Sequence, residues 1–181
     1  MEEKKLRKRM RLKNANYSNP GAYFITICTK ERRCVLSRMV GTGVLDGPIS
    51  VELLPHGKIA EKYIHKLNDF YDNISVERYV IMPNHIHMLL FLQPNENNFD
   101  SNLRETENGP SRTPVPTIQN SIVSRFISTF KRFTNKEYGM NIWQYRSYDH
   151  IIRNQKDYEE HVNYIYYNPV RWHLDELYTG S

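Results

Sequence analysis

His85 and His87 stand two apart in the run Met82-Pro83-Asn84-His85-Ile86-His87-Met88-Leu89-Leu90-Phe91, which reads as a turn leading into an apolar strand. Side chains at i and i+2 of a strand leave the sheet on the same face. Both imidazoles can therefore converge on one divalent metal ion, while Ile86 and Met88 face the other way. A second concentration of reactive groups lies in Tyr158, His161, Tyr164, Tyr166, Tyr167 and Asn168. Positions 161, 164 and 168 are separated by three and four residues, so on a helix they share one face. A phenol with a pKa of about 10 is ionised to only about one part in a thousand at neutral pH, so a nucleophilic tyrosine needs a proton acceptor or a nearby cation. His161, on the face of Tyr164, is the candidate acceptor. A divalent ion on the His pair could polarise a phosphate and orient its leaving oxygen.

The elements that must position these groups can be read from periodicity. Pro20-Gly21 launches a β-branched and aromatic strand over 22–29, and apolar residues at helical spacing mark a helix from about 51 to 71. Two strand-like runs, 74–82 and 85–92, are joined at the turn formers Pro83-Asn84. The stretch 94–116 loses its apolar content and reads as a mobile loop. A helix over about 117–138, a strand over 142–148 and a last helix over 155–167, ended by Pro169, complete the order. This predicts an α+β chain built on a ferredoxin-like, split βαβ antiparallel sheet with helices on one face. The C-terminal helix is additional and carries the tyrosines. We expect a basic arm over 1–16 and a single domain over 17–181.

Net charge of +5 and a pI near 9.1, with thirteen tyrosines and seven phenylalanines, favour a nucleic-acid partner with unpaired bases. The densest positive run includes Arg9, Arg11 and Lys13, and the predicted second helix adds Arg125, Lys131 and Arg132; these six are the candidate DNA contacts. The basic segment is not followed by the apolar core of a secretory signal, and no stretch approaches the roughly 20 apolar residues of a membrane span. The expectation is a cytoplasmic, nucleoid-associated protein with Cys28 and Cys34 as free thiols.

The His-hydrophobic-His run resembles the signature of HUH single-strand nucleases. Trp143-Gln144-Tyr145-Arg146-Ser147-Tyr148-Asp149-His150-Ile151-Ile152-Arg153-Asn154, followed by Tyr164-Ile165-Tyr166-Tyr167-Asn168-Pro169, resembles the C-terminal block of the REP-associated tyrosine transposases. The segment from Arg11-Leu12 through Tyr17-Ser18-Asn19-Pro20-Gly21 to Thr29 is similar to that group as well. The resemblance covers most of the chain outside the 94–116 loop. It implies a single-tyrosine transposase that cuts and rejoins single-stranded or hairpin repeat DNA with a divalent metal. His85 and His87 take the ligand places and Tyr164 the nucleophile's place. Asn168 falls where related insertion-sequence transposases carry a glutamine that completes the metal site. Attack by Tyr164 would leave a 5′-phosphotyrosine and a 3′-hydroxyl, and the hard ions Mg²⁺ or Mn²⁺ suit that phosphate chemistry. As to assembly, the resemblance leaves both a homodimer and a monomer open.

Two other readings compete. A ferredoxin-like module could bind single strands by stacking bases on its tyrosines without cutting. A metallohydrolase could use bound water and form no covalent adduct. Neither explains the Tyr-Asn-Pro block.

Overall fold

The computed structural model describes residues 19–41, 50–94 and 121–179. The basic arm with Arg9, Arg11 and Lys13, and nearly all of the 94–116 loop, lie outside the described residues.

Four strands form the central sheet: β1 (Gly21–Cys28), β4 (Ile74–Ile81), β5 (His85–Leu92) and β6 (Tyr148–Ile151), in the order β4-β5-β1-β6. Every neighbouring pair is antiparallel. With α1 (Pro55–Phe70) between β1 and β4, and α2 (Ile122–Tyr138) between β5 and β6, this order is consistent with a ferredoxin-like sheet. Alternation sorts the side chains of β1. Tyr23, Ile25 and Ile27 join Ile86, Met88 and Leu90 of β5 in the main core under α1 and α2. Phe24 and Leu89 face the other way, where Ile165 of α3 (Gln155–Tyr167) packs on them. The sheet is thus covered by two helices on one side and partly by one on the other.

Local chemistry explains the helix ends. Ser121 accepts from the Ser124 amide at 3.1 Å and Gly139 closes α2 in the left-handed region at φ 72°. Asn154 caps α3 by accepting from the Asp157 amide at 2.9 Å. Pro55 occupies the first turn of α1, whose buried residues Gly57, Ala60, Ile64 and Leu67 repeat at three and four.

Three boundaries differ from the sequence expectation. Val51–Leu53 is not the start of α1: it belongs to β3 (Ser50–Leu53), which pairs with β2 (Ser37–Val40) as a separate two-stranded sheet. The last strand begins at Tyr148 rather than 142, because Ile142 and Trp143 are buried in the main core and Trp143 makes only a bridge to Thr29. α2 begins at Ile122, its cap supplied by Ser121. Among the described residues no helix is long and apolar enough to cross a membrane.

Gly57 fixes how closely α1 approaches the chain before β2. A Cβ there would collide with the Leu36 backbone carbonyl, which is rigid because it accepts the Leu54 amide at 2.9 Å. Gly57→Ala is therefore expected to destabilise the protein by about 3 kcal/mol, read as a lowered urea midpoint at unchanged slope.

Candidate metal centre and its cavity

The β1–β5 register places Thr26 opposite His87 and Cys28 opposite His85. Both imidazoles leave the sheet on the α3 side, their ring centroids 4.4 Å apart, and both are essentially fully buried. Each ring is held by one nitrogen. His85 Nδ1 lies 2.8 Å from Asn84 Oδ1, and Asn84 in turn donates through Nδ2 to the Leu177 carbonyl at 2.8 Å. The amide is therefore oriented to accept, His85 donates from Nδ1, and the lone pair sits on Nε2. His87 Nδ1 lies 2.8 Å from the Thr26 hydroxyl, and its ring stacks at 5.0 Å on Phe24.

The Nε2 atoms of both histidines are buried without a hydrogen-bond partner, as is Oδ1 of Asn168. Leaving a buried acceptor unsatisfied costs about 1–3 kcal/mol. Several such acceptors on adjoining residues are what a site built for a cation presents. Asp175, which follows a 3₁₀ turn after α3, brings a carboxylate to the same place: one ligand atom each from His85, His87 and Asp175 lies within 4.8 Å of the others. This His/His/Asp cluster is capable of coordinating a divalent metal.

Tyr164 belongs to the same assembly. Its ring meets those of His87 at 5.0 Å and Phe24 at 5.9 Å. Its hydroxyl donates to Asp175 Oδ2 at 3.1 Å, and Asn168 Nδ2 donates to the same oxygen at 2.8 Å. Burial, reinforced by the Asp175 carboxylate, pushes the Tyr164 phenol well above its ordinary value. The tyrosine is therefore protonated at rest. A cavity of about 520 Å³ opens beside these groups, with Phe24, His87, His161, Tyr164 and Asp175 among its walls.

His161 shares the cavity with Tyr164, but its Nδ1 is turned toward the Asp157 carbonyl at 2.7 Å. Its ring stacks on His150 at 4.7 Å, and His150 Nε2 lies 3.0 Å from both Asp157 oxygens. Desolvation pushes the Asp157 carboxyl up, but the hydrogen bonds from His150 and the Arg153 amide, together with the field of the His150 and His161 imidazoles, hold it below its usual range.

The remaining predicted contacts are not brought to the cavity. Arg125 and Arg132 are exposed on α2, across the sheet from the His pair, with the Arg132 guanidinium 4.9 Å from the Phe133 ring centroid. Lys131 is engaged by backbone carbonyls. Sequence reasoning missed Asp175, Thr26 and the orienting role of Asn84. No local pattern marks Asp175; the strand pairing, once known, would have pointed to Thr26.

Burial lowers His85 to about 4, and His87 well below its ordinary value, with the neighbouring imidazoles acting in the same direction on His87. An unfolded imidazole takes its proton near 6.5 whereas folded His85 does so near 4, so in between the unfolded state binds more protons. The stability of metal-free protein should be fully present above about pH 6.5. It should fall as the pH drops toward 4, and His85→Gln should flatten that slope in denaturation titrations.

No family model matches the chain. An uncharacterized protein of Haemophilus influenzae is 31% identical over 177 residues, spanning 96% of this chain and 93% of that one. A REP-associated tyrosine transposase of Escherichia coli is 28% identical over 155 residues, 86% of this chain and 70% of its own length. A second Haemophilus influenzae protein, described as a putative REP-associated tyrosine transposase, is 32% identical over 91 residues, about half of this chain and 47% of its own length. The solved structure of a REP-associated tyrosine transposase bound to a REP hairpin superposes with a TM-score of 0.56 at 22% identity, covering 90% of this chain and 74% of that one. In sequence and in fold, the chain is homologous to the REP-associated tyrosine transposases.

Proposed function

We propose that the chain is a metal-dependent transposase of the single-tyrosine HUH type on a ferredoxin-like fold, cleaving and rejoining single-stranded or hairpin repeat DNA. The observation that carries this reading is the pair of unpartnered, buried imidazole nitrogens clustered with Asp175, beside a cavity that His87, Tyr164 and Asp175 line. His85, His87 and Asp175 are the residues to hold Mg²⁺ or Mn²⁺, with the Asn168 amide oxygen as a further donor. When bound, the ion supplies a positive charge that polarises the scissile phosphate and offsets charge on the leaving oxygen.

Each residue has its own part. Asn84 and Thr26 hold the imidazoles so that Nε2 faces the cation. Asn168 orients Asp175 through its amide. The Tyr164 oxygen attacks phosphorus, and the bond from phosphorus to the 3′ oxygen breaks. The products are a 5′-phosphotyrosine and a 3′-hydroxyl, the latter having taken up a proton. The phenol proton passes to Asp175, its present acceptor, or to His161 on the same wall, and from there to the departing 3′ oxygen. Reversal by another 3′-hydroxyl rejoins the strand, since the phosphotyrosine keeps the energy of the broken diester. Arg125 and Arg132 are proposed as phosphate contacts away from the reacting centre, and Arg9, Arg11 and Lys13, which lie outside the described residues, as further phosphate contacts.

Incubating wild type and Tyr164→Phe with end-labelled hairpin DNA and Mn²⁺, then resolving the products on denaturing gels, tests the reading. We expect a protein-linked label in wild type and a fall of at least about 10³-fold in Tyr164→Phe, the loss that follows removal of a nucleophile rather than a helper. Cleavage that survives in Tyr164→Phe without any adduct would sink the covalent mechanism. In calorimetric titrations with MnCl₂, Asp175→Asn should weaken binding at least about tenfold, and unchanged affinity would remove Asp175 from the ligand set.

A further inference from the structure

The chain between α2 and β6 contains a short exposed loop that the cavity chemistry does not use. Tyr145 within it is 88% exposed, more than any other large hydrophobic side chain among the described residues. A single exposed aromatic is ordinary on a protein surface. What sets this one apart is how firmly its backbone is held. The Lys131 ammonium reaches three successive carbonyls, those of Gln144, Tyr145 and Arg146, at 2.9, 3.3 and 3.2 Å. An ammonium has three protons and no acceptor, so three carbonyls match its donors in number. On one flank Gln144 donates its amide to the Cys28 carbonyl at 2.9 Å, and on the other Tyr148 enters the sheet opposite Thr26. Thr26, Cys28 and Tyr148 all line the cavity. The loop is therefore anchored at both ends to residues that line the cavity, a rim from which Tyr145 is displayed on a held backbone.

The geometry points to this rim as the seat of one unpaired DNA base. The base stacks on the Tyr145 ring, the neighbouring Arg146 neutralises a phosphate, and the strand continues past Tyr148 into the cavity. Single strands are held by aromatic planes that accept any base and by adjacent cations that track the backbone. Tyr145, Arg146 and Tyr148 supply that combination within four residues of chain. A rim fixed before the strand arrives has little backbone freedom left to lose on binding. Lys131, read from sequence as a DNA contact, acts here indirectly, by holding the loop. The inference rests on the single-strand DNA reading above, but on binding alone and not on cleavage.

The test is fluorescence anisotropy of a labelled DNA hairpin with a single-stranded extension, in EDTA so that no cleavage occurs. The fully paired hairpin without extension, and an RNA of the same sequence, serve as comparisons. Tyr145→Ala should weaken binding of the extended hairpin about tenfold, as for one lost stacking partner. Tyr145→Trp should restore it, and the fully paired hairpin should bind all variants alike. Because Tyr145 is so exposed, its removal leaves the fold intact, which circular dichroism checks. Equal affinity of wild type and Tyr145→Ala for the extended hairpin overturns the rim assignment while leaving the transposase reading standing. Wild type that binds none of these DNAs overturns both, and tighter binding of the RNA overturns DNA as the occupant.

Discussion

The site depends on the antiparallel pairing of β1 with β5 in a single register. It puts Thr26 beside His87 and Cys28 beside His85, and it decides which face of the sheet carries imidazoles and which carries Ile86 and Met88. A slip of one residue would send both histidines into the main core and the core residues to the cavity. The register is held from both sides, because each strand places an apolar row under α1 and α2 and a second apolar contact, Phe24 with Leu89, under α3. Packing energy on one face thereby sets the geometry of polar groups on the other.

Around that pair, polar groups are arranged in a connected network. Asn84 and Thr26 occupy the Nδ1 side of the rings and leave Nε2 to the site. Asp175 gathers the Tyr164 hydroxyl and the Asn168 amide on one oxygen, while its other oxygen accepts the Leu177 amide at 2.7 Å. Burial keeps the imidazoles neutral, while partial burial together with the Asp175 carboxylate raises the Tyr164 phenol. On the proposed function, attack by Tyr164 would call for a proton acceptor or a positive charge nearby, and the orphaned nitrogens are where a cation would fit.

Much of this was legible in the sequence because it is local. Two histidines two apart in a strand share a face, and 161, 164 and 168 on a helix share another; both statements need only backbone periodicity. Three of the four central strands and the three helices follow from the same rule. What could not be read was whatever depends on chain segments meeting. Asp175 lies in a short irregular stretch, and its relation to His85 arises only after α3 has crossed the sheet. The β2–β3 hairpin has two strands of four residues each, with Arg38 and Glu52 interrupting the apolar pattern, and so gives little periodic signal. The last strand was misplaced because Ile142 and Trp143 look strand-like for a different reason: they are core residues. Lys131 looked like a free cation because sequence shows charge but not the three carbonyls that engage it.

The order in which the pieces occur along the chain has its own consequence. His85 and His87 are in place by the middle of the sequence, whereas the phenol and the third candidate ligand come from residues 164 and 175. A polypeptide growing from its N-terminus, or one cut short before Asn154, holds the two imidazoles but neither Tyr164 nor Asp175. On the proposed function, synthesis would thus assemble the seat for the cation long before the group that attacks a phosphate, leaving an unfinished chain chemically unarmed.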